Sequence, residues 1–153
     1  MEKATFAAGC FWGIEEVFRK TPGVLSTRAG FSGGKVKDPT YKQVCSDITG
    51  HAEAVEVEYD PAIVSYQTLL EIFWKVHNPT TRNRQGADIG SQYRSIIFYH
   101  SPQQQELALQ SKANKQKVLQ KEIVTEIIPS APFYEAESYH QKYYEKHGGH
   151  CGI

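Results

Sequence analysis

The chain has 153 residues, in which 17 Lys and Arg balance 17 Asp and Glu. A length of this order predicts one domain spanning residues 1–153, and 40% apolar residues, 12% of the chain being aromatic, supply a packed core. Zero net charge argues against a nucleic-acid partner, no apolar run reaches the ~18 residues of a membrane span, and three cysteines are too few and too odd in number for a disulfide scaffold.

Ala7-Ala8-Gly9-Cys10 has the look of a lipoprotein cleavage site, but the apolar stretch before it, Ala4 to Ala8, is shorter than the ~7–15 residues of a signal core. A cytoplasmic chain is expected, where thiols stay reduced and cysteine chemistry is available. Lys3–Ala8 reads as a strand running into Gly9-Cys10. Phe11–Lys20 reads as an amphipathic helix with Phe11, Ile14, Val17 and Phe18 on one face, acid-first pairs Glu15/Arg19 and Glu16/Lys20, and a stop at Pro22-Gly23.

Val24–Phe31 is a second strand, ended by Gly33-Gly34, and Asp38-Pro39 marks a turn before Tyr41. Ala54–Tyr59 alternates strictly, with Val55, Val57 and Tyr59 opposite Glu56 and Glu58. Ser65 predicts the N-cap of a helix through His77, stopped by Asn78-Pro79. A long polar stretch, Thr80–Gln92, has only Ala87 and Ile89 as aliphatic residues, and stretches of that kind inside a domain are mostly functional or disordered. Tyr93–Tyr99 predicts a strand, Pro102–Leu119 a polar surface helix, Ile123–Ile128 a strand and Ala136–Lys146 a last helix. The expected architecture is α+β: a two-layer sandwich with a mixed or antiparallel sheet flanked by helices.

Several residues in this frame can carry chemistry. Cys10 stands where a strand hands over to a helix, so first-turn N–H groups and the helix dipole would favour its thiolate; a buried core cysteine is the plainer reading. Phe11 and Trp12 are consecutive and cannot share a helix face, which frees one of them to wall an apolar pocket. If the strand alternation extends back to Glu53, its carboxyl joins Val55, Val57 and Tyr59 on the apolar face, where desolvation favours the protonated form a general acid needs. Otherwise it is a solvated residue before the strand.

The long loop gathers Arg82, Asn83, Arg84, Gln85, Asp88 and Gln92 around Gly86 and Gly90, which suits a folded-back loop lining a polar site; a solvated loop is the plainer reading. The tail puts Cys151 on a Gly-rich end, able to approach another thiol. His140, His147 and His150 with Cys151 match no zinc spacing, so no metal is expected. Cys45 reads as a structural thiol.

Gly9-Cys10-Phe11-Trp12-Gly13 resembles the active-site motif of the A-type peptide methionine sulfoxide reductases. Gly30-Phe31-Ser32-Gly33-Gly34, Pro39-Thr40-Tyr41, Gly50-His51-Ala52-Glu53, Tyr59-Asp60-Pro61, Asn78-Pro79-Thr80-Thr81, Asn83-Arg84-Gln85-Gly86 and Gln92-Tyr93-Arg94-Ser95 follow in family order over nearly the whole chain. The resemblance implies a ferredoxin-like core and a peptide-methionine (S)-S-oxide reductase. It implies that Cys10 attacks the sulfoxide sulfur and that Glu53 protonates the oxygen. Tyr41, Asp88 and Tyr93 would hold that oxygen or a water, and Phe11 and Trp12 the S-methyl group. Cys151 would resolve the Cys10 sulfenic acid as a disulfide, which thioredoxin reduces.

Further implications are that the chain binds no cofactor of its own, acts on methionine sulfoxide and oxidised proteins, and works as a monomer in protein repair under oxidative stress. Phe31 and Asp47 stand where many members have Tyr and Gly. The sequence ends two residues after Cys151, which favours direct reduction of a Cys10–Cys151 disulfide over a relay through another cysteine. Two other classes are open on the residues alone: a Cys-His hydrolase using Cys10 and His51, and a non-catalytic binding module.

Overall fold

Alternation along two neighbouring strands sorts the side chains into a helix-covered face and a loop-covered face. The computed structural model describes residues 2–9, 11–34, 40–45, 50–85 and 88–136, with the backbone alone at 42, 45, 88, 89 and 91. The first half runs β1 (Glu2–Ala8), α1 (Phe11–Arg19), β2 (Val24–Ser32), α2 (Tyr41–Cys45), β3 (Ala52–Tyr59) and α3 (Tyr66–Lys75). The second runs β4 (Arg84–Gln85), β5 (Asp88–Ile89), a 3-10 turn at Ser91–Tyr93, β6 (Ser95–Tyr99), α4 (Pro102–Gln116), β7 (Glu126–Pro129) and β8 (Phe133–Glu135).

Six strands form one sheet in the order β7-β6-β1-β3-β2-β8. Every neighbouring pair is antiparallel except β6 with β7, so the sheet is mixed. Its four central strands, β6-β1-β3-β2, with α1 and α3 as the two crossovers, make the βαββαβ ferredoxin-like unit. This is an α+β fold, as the sequence predicts.

The core lies between the sheet and the helices. Ala4, Phe6 and Ala8 of β1 and Val55, Val57 and Tyr59 of β3 face Phe11, Ile14 and Phe18 of α1 and Leu69, Leu70 and Phe73 of α3. Phe6 is at the centre: its ring lies 5.2 Å from Phe18, 5.3 Å from Phe73 and 6.1 Å from Tyr66. On the opposite face Ala7, Ala52, Ala54, Ile96 and Phe98 form a smaller cluster under Ile128, Ala131 and Phe133.

The elements depart from the predicted ones in identifiable places. Val17 is 41% exposed, because the buried stripe of α1 runs through Phe11, Ile14, Glu15 and Phe18. The predicted Tyr93–Tyr99 strand begins only at Ser95: Tyr93 closes a 3-10 turn, and the Arg94 guanidinium is drawn sideways to the Gly50 carbonyl at 2.8 Å. Residues 123–125 precede β7 without joining the ladder. Helix α4 ends at Gln116, whose side chain bonds the Ile123 amide (2.8 Å) and the Lys121 carbonyl (3.0 Å), turning the chain back. The last predicted helix, Ala136–Lys146, lies outside the described residues from 137 onward, as does the Asp38-Pro39 turn.

Candidate active site

Glu53 lies on the same side of β3 as Val55, Val57 and Tyr59, the placement predicted by extending the alternation backwards. It is 1% exposed and is paired in register with Phe31 of β2. Its Oε1 accepts the backbone N–H of Phe11 at 3.3 Å. Phe11 is the first residue of α1, so this carboxyl sits at the helix start, one residue after position 10. Two elements far apart in sequence are thereby joined at the point where the sequence places its candidate nucleophile. Cys10 itself lies outside the described residues.

An aromatic cluster gathers at the start of α1. Phe11 is buried and packs on Phe31 (ring centroids 5.7 Å apart), which fixes the first turn of α1 against β2. Trp12, the next residue, is only half-buried, so of the consecutive pair one belongs to the core and the other faces outward. Tyr41 stacks against both, 6.1 Å from Phe11 and 6.4 Å from Trp12. A capping box holds Tyr41 there: the Gln43 amide donates to Thr40 Oγ1 at 3.1 Å, and the Thr40 amide to Gln43 Oε1 at 2.9 Å. The pattern Thr40-Tyr41-Lys42-Gln43 carries that signal in the sequence, where α2 went unread.

The long polar loop is folded back on itself. Its β4–β5 ladder pairs Arg84 with Ile89 and Gln85 with Asp88, and the Gly90 amide donates to the Asn83 carbonyl at 2.9 Å. Gln85 is its buried strut: its Oε1 accepts the Asn78 amide at 2.9 Å and its Nε2 donates to the Asn78 carbonyl at 2.7 Å. The same side chain packs on Gly9, where an added Cβ would stand 2.8 Å from Gln85 Cγ. The loop is thus tied to the residue before position 10, a role the sequence reading did not give Gln85. Half-buried Tyr93 ends the 3-10 turn that follows. Asp88 is placed on β5 by its backbone; its side chain, that of Cys45 on α2, and all of Cys151 lie outside the described residues.

His51, the histidine of the hydrolase alternative, is buried and engaged elsewhere. Its Nδ1 accepts the Gly34 amide at 2.9 Å and its ring meets Tyr134 edge-on at 5.5 Å. Glu15, read from the sequence as the acid of an i,i+4 pair with Arg19, is also fully buried, and its Oε2 accepts the Thr27 hydroxyl at 3.0 Å. Glu16 takes Arg19 at 2.7 Å and Lys20 at 3.1 Å. Among the described residues no three His, Cys, Asp or Glu side chains are grouped so as to hold a metal ion.

A family model described as peptide methionine sulfoxide reductase matches residues 2–152. The peptide methionine sulfoxide reductase MsrA of Methanosarcina acetivorans is 60% identical over 150 residues, covering 97% of this chain and 80% of its own. Among solved structures, reduced Mxr1 from Saccharomyces cerevisiae superimposes with a TM-score of 0.92 at 36% identity, over 98% of this chain and 88% of its own. Methionine sulfoxide reductase A of Corynebacterium diphtheriae gives 0.89 at 38% identity, over 99% and 77%. Mxr1 has also been solved in complex with Trx2; that chain matches at 0.67 and 26% identity, over 93% of this chain and 84% of its own. The chain belongs to the peptide methionine sulfoxide reductases of the A type, and is a peptide-methionine (S)-S-oxide reductase.

Proposed function

We propose that this chain reduces methionine sulfoxide by thiol chemistry at Cys10, with Glu53 as the proton donor. The observation that carries the proposal is the Glu53–Phe11 hydrogen bond, which sets a buried carboxyl against the start of α1 immediately after Cys10. The Cys10 thiolate bonds to the sulfoxide sulfur while Glu53 gives its proton to the oxygen; the protonated oxygen leaves that sulfur and adds as hydroxide to the Cys10 sulfur, and methionine departs with the electron pair of the S–S bond, leaving Cys10 a sulfenic acid. Trp12 and Phe11 take the S-methyl group, and Tyr41, Asp88 and Tyr93 hold the oxygen or a water; the stacking of Tyr41 on Phe11 and Trp12 supports its part. The Cys151 thiol then attacks the sulfenic sulfur, expelling water and forming the Cys10–Cys151 disulfide. Two electrons from the thioredoxin dithiol reopen it by exchange. The complex of the relative Mxr1 with Trx2 supports that choice of reductant.

In the same reading the chain is one domain over residues 1–153. It acts as a cytoplasmic monomer on oxidised proteins and free methionine sulfoxide, in repair after oxidative stress, and uses no metal, flavin or nicotinamide of its own. Glu53→Gln tests the proton donor: the amide keeps shape and hydrogen bonding but has no proton to give, so single-turnover methionine formation should slow by ~10²–10⁴. Substrate affinity should change much less. An unchanged single-turnover rate would assign the proton to another group.

A further inference from the structure

An open groove of about 730 Å³ is walled by the ends of α3 and α4 and the turn after α4. Lys75, Lys115 and Lys121 line it, and no Asp or Glu does among the described residues. None of the three lysines is in ion-pairing reach of a carboxylate among the described residues. Two helices end here, and each C-terminus contributes roughly half a negative charge, so three ammonium groups leave the groove positive. Its outer wall is apolar: Leu119 lines it beside Val118, which is 73% exposed. Its inner wall is Gln85, the side chain packed against Gly9.

We propose that this groove takes the segment of the substrate polypeptide next to the oxidised methionine, and favours segments with acidic and apolar side chains. The proposal rests on the reaction taking place at Cys10. Continuity supports it, since one residue, Gln85, is both the end of the groove and the neighbour of Gly9. Charge complementarity selects the class of segment. Each exposed pair adds a factor of about 2–5 at most, and three together about tenfold, lost with rising salt.

The test uses three substrates with dithiothreitol as reductant: a methionine sulfoxide peptide flanked on both sides by Glu and Leu, the same peptide with Lys for Glu, and N-acetylmethionine sulfoxide amide. The unmodified enzyme should favour the acidic over the basic peptide by about tenfold in kcat/KM. The triple variant Lys75→Gln, Lys115→Gln, Lys121→Gln should lose that preference while keeping its rate on the amide. Equal rates on both peptides in the unmodified enzyme overturn the proposal. So does an equal fall on all three substrates in the variant. A loss seen only when thioredoxin replaces dithiothreitol gives the groove to the reductant instead. Failure of the unmodified enzyme to reduce the amide at all would overturn the reductase reading at Cys10, and this proposal with it.

Discussion

Glu53 reaches the start of α1 because a strand turns every second side chain to the same face, and its parity with Val55, Val57 and Tyr59 was legible in the sequence. Glu15 was not legible in the same way. A glutamate one turn before an arginine looks like a surface pair, and only the packing of α1 on β2 shows it buried against Thr27. Val17 fails for the converse reason: a helix this short leaves its apolar stripe uncertain by one position, and Val17 falls outside it. Gly9 makes the sharpest prediction at this scale. Its φ is +102°, and an added Cβ would meet Gln85 Cγ at 2.8 Å and Cβ at 3.0 Å, while the Asn78 backbone holds both polar atoms of the Gln85 terminal amide. Gly9→Ala should therefore cost ~1–3 kcal/mol in denaturant unfolding and slow catalysis as well, since it displaces the approach to Cys10. A variant of unchanged stability and rate would show that the contact yields freely.

At the scale of elements, strong local signals were realised. Ser65 caps α3 by accepting the Thr68 amide at 3.1 Å, and Ser101 caps α4, with Pro102 at its first turn, by accepting the Gln104 amide at 3.2 Å. Ser65→Ala should lower unfolding free energy by ~1 kcal/mol and leave activity intact, because the cap is at the end of α3 away from Lys75 and Asn78. A larger loss, or a loss of activity, would give Ser65 more than a capping role. Shorter elements escaped the sequence reading. α2 has five residues and β8 three, too few for a period to show, and both are held by partners distant in sequence: Tyr41 by Phe11 and Trp12, and Phe133–Glu135 by Gly30–Ser32. The long loop was legible as a polar stretch, with a site and a solvated loop both open, and its folding depends on Gln85 bridging to Asn78, which no periodicity encodes.

Across the whole molecule, one buried histidine joins the helix layer to the sheet and makes stability depend on pH. His77 Nδ1–H donates to the Phe73 carbonyl at 2.7 Å, and its Nε2 lies 2.7 Å from Ser95 Oγ, which is 2.8 Å from Thr125 Oγ1. Burial lowers its pKa from 6.5 to about 4. Between those values the unfolded chain binds a proton that the folded one refuses, so the contribution is complete above pH 6.5 and lost as pH falls towards 4. It amounts to at most ~3 kcal/mol, and unfolding followed against pH should show it in the parent and not in His77→Gln. A parent curve flat over that range would contradict it. Fold and family were legible in the sequence because their signals span most of the chain; the charged groove was not, because its lysines meet only when α3 and α4 end side by side. The chemistry at Cys10 is tested most directly by intact mass after one equivalent of methionine sulfoxide without reductant. The account predicts one methionine formed and the loss of two hydrogens in the parent, the gain of one oxygen in Cys151→Ser, and no change in Cys10→Ser. Methionine formed by Cys10→Ser, or an acyl mass on Cys10, would contradict it.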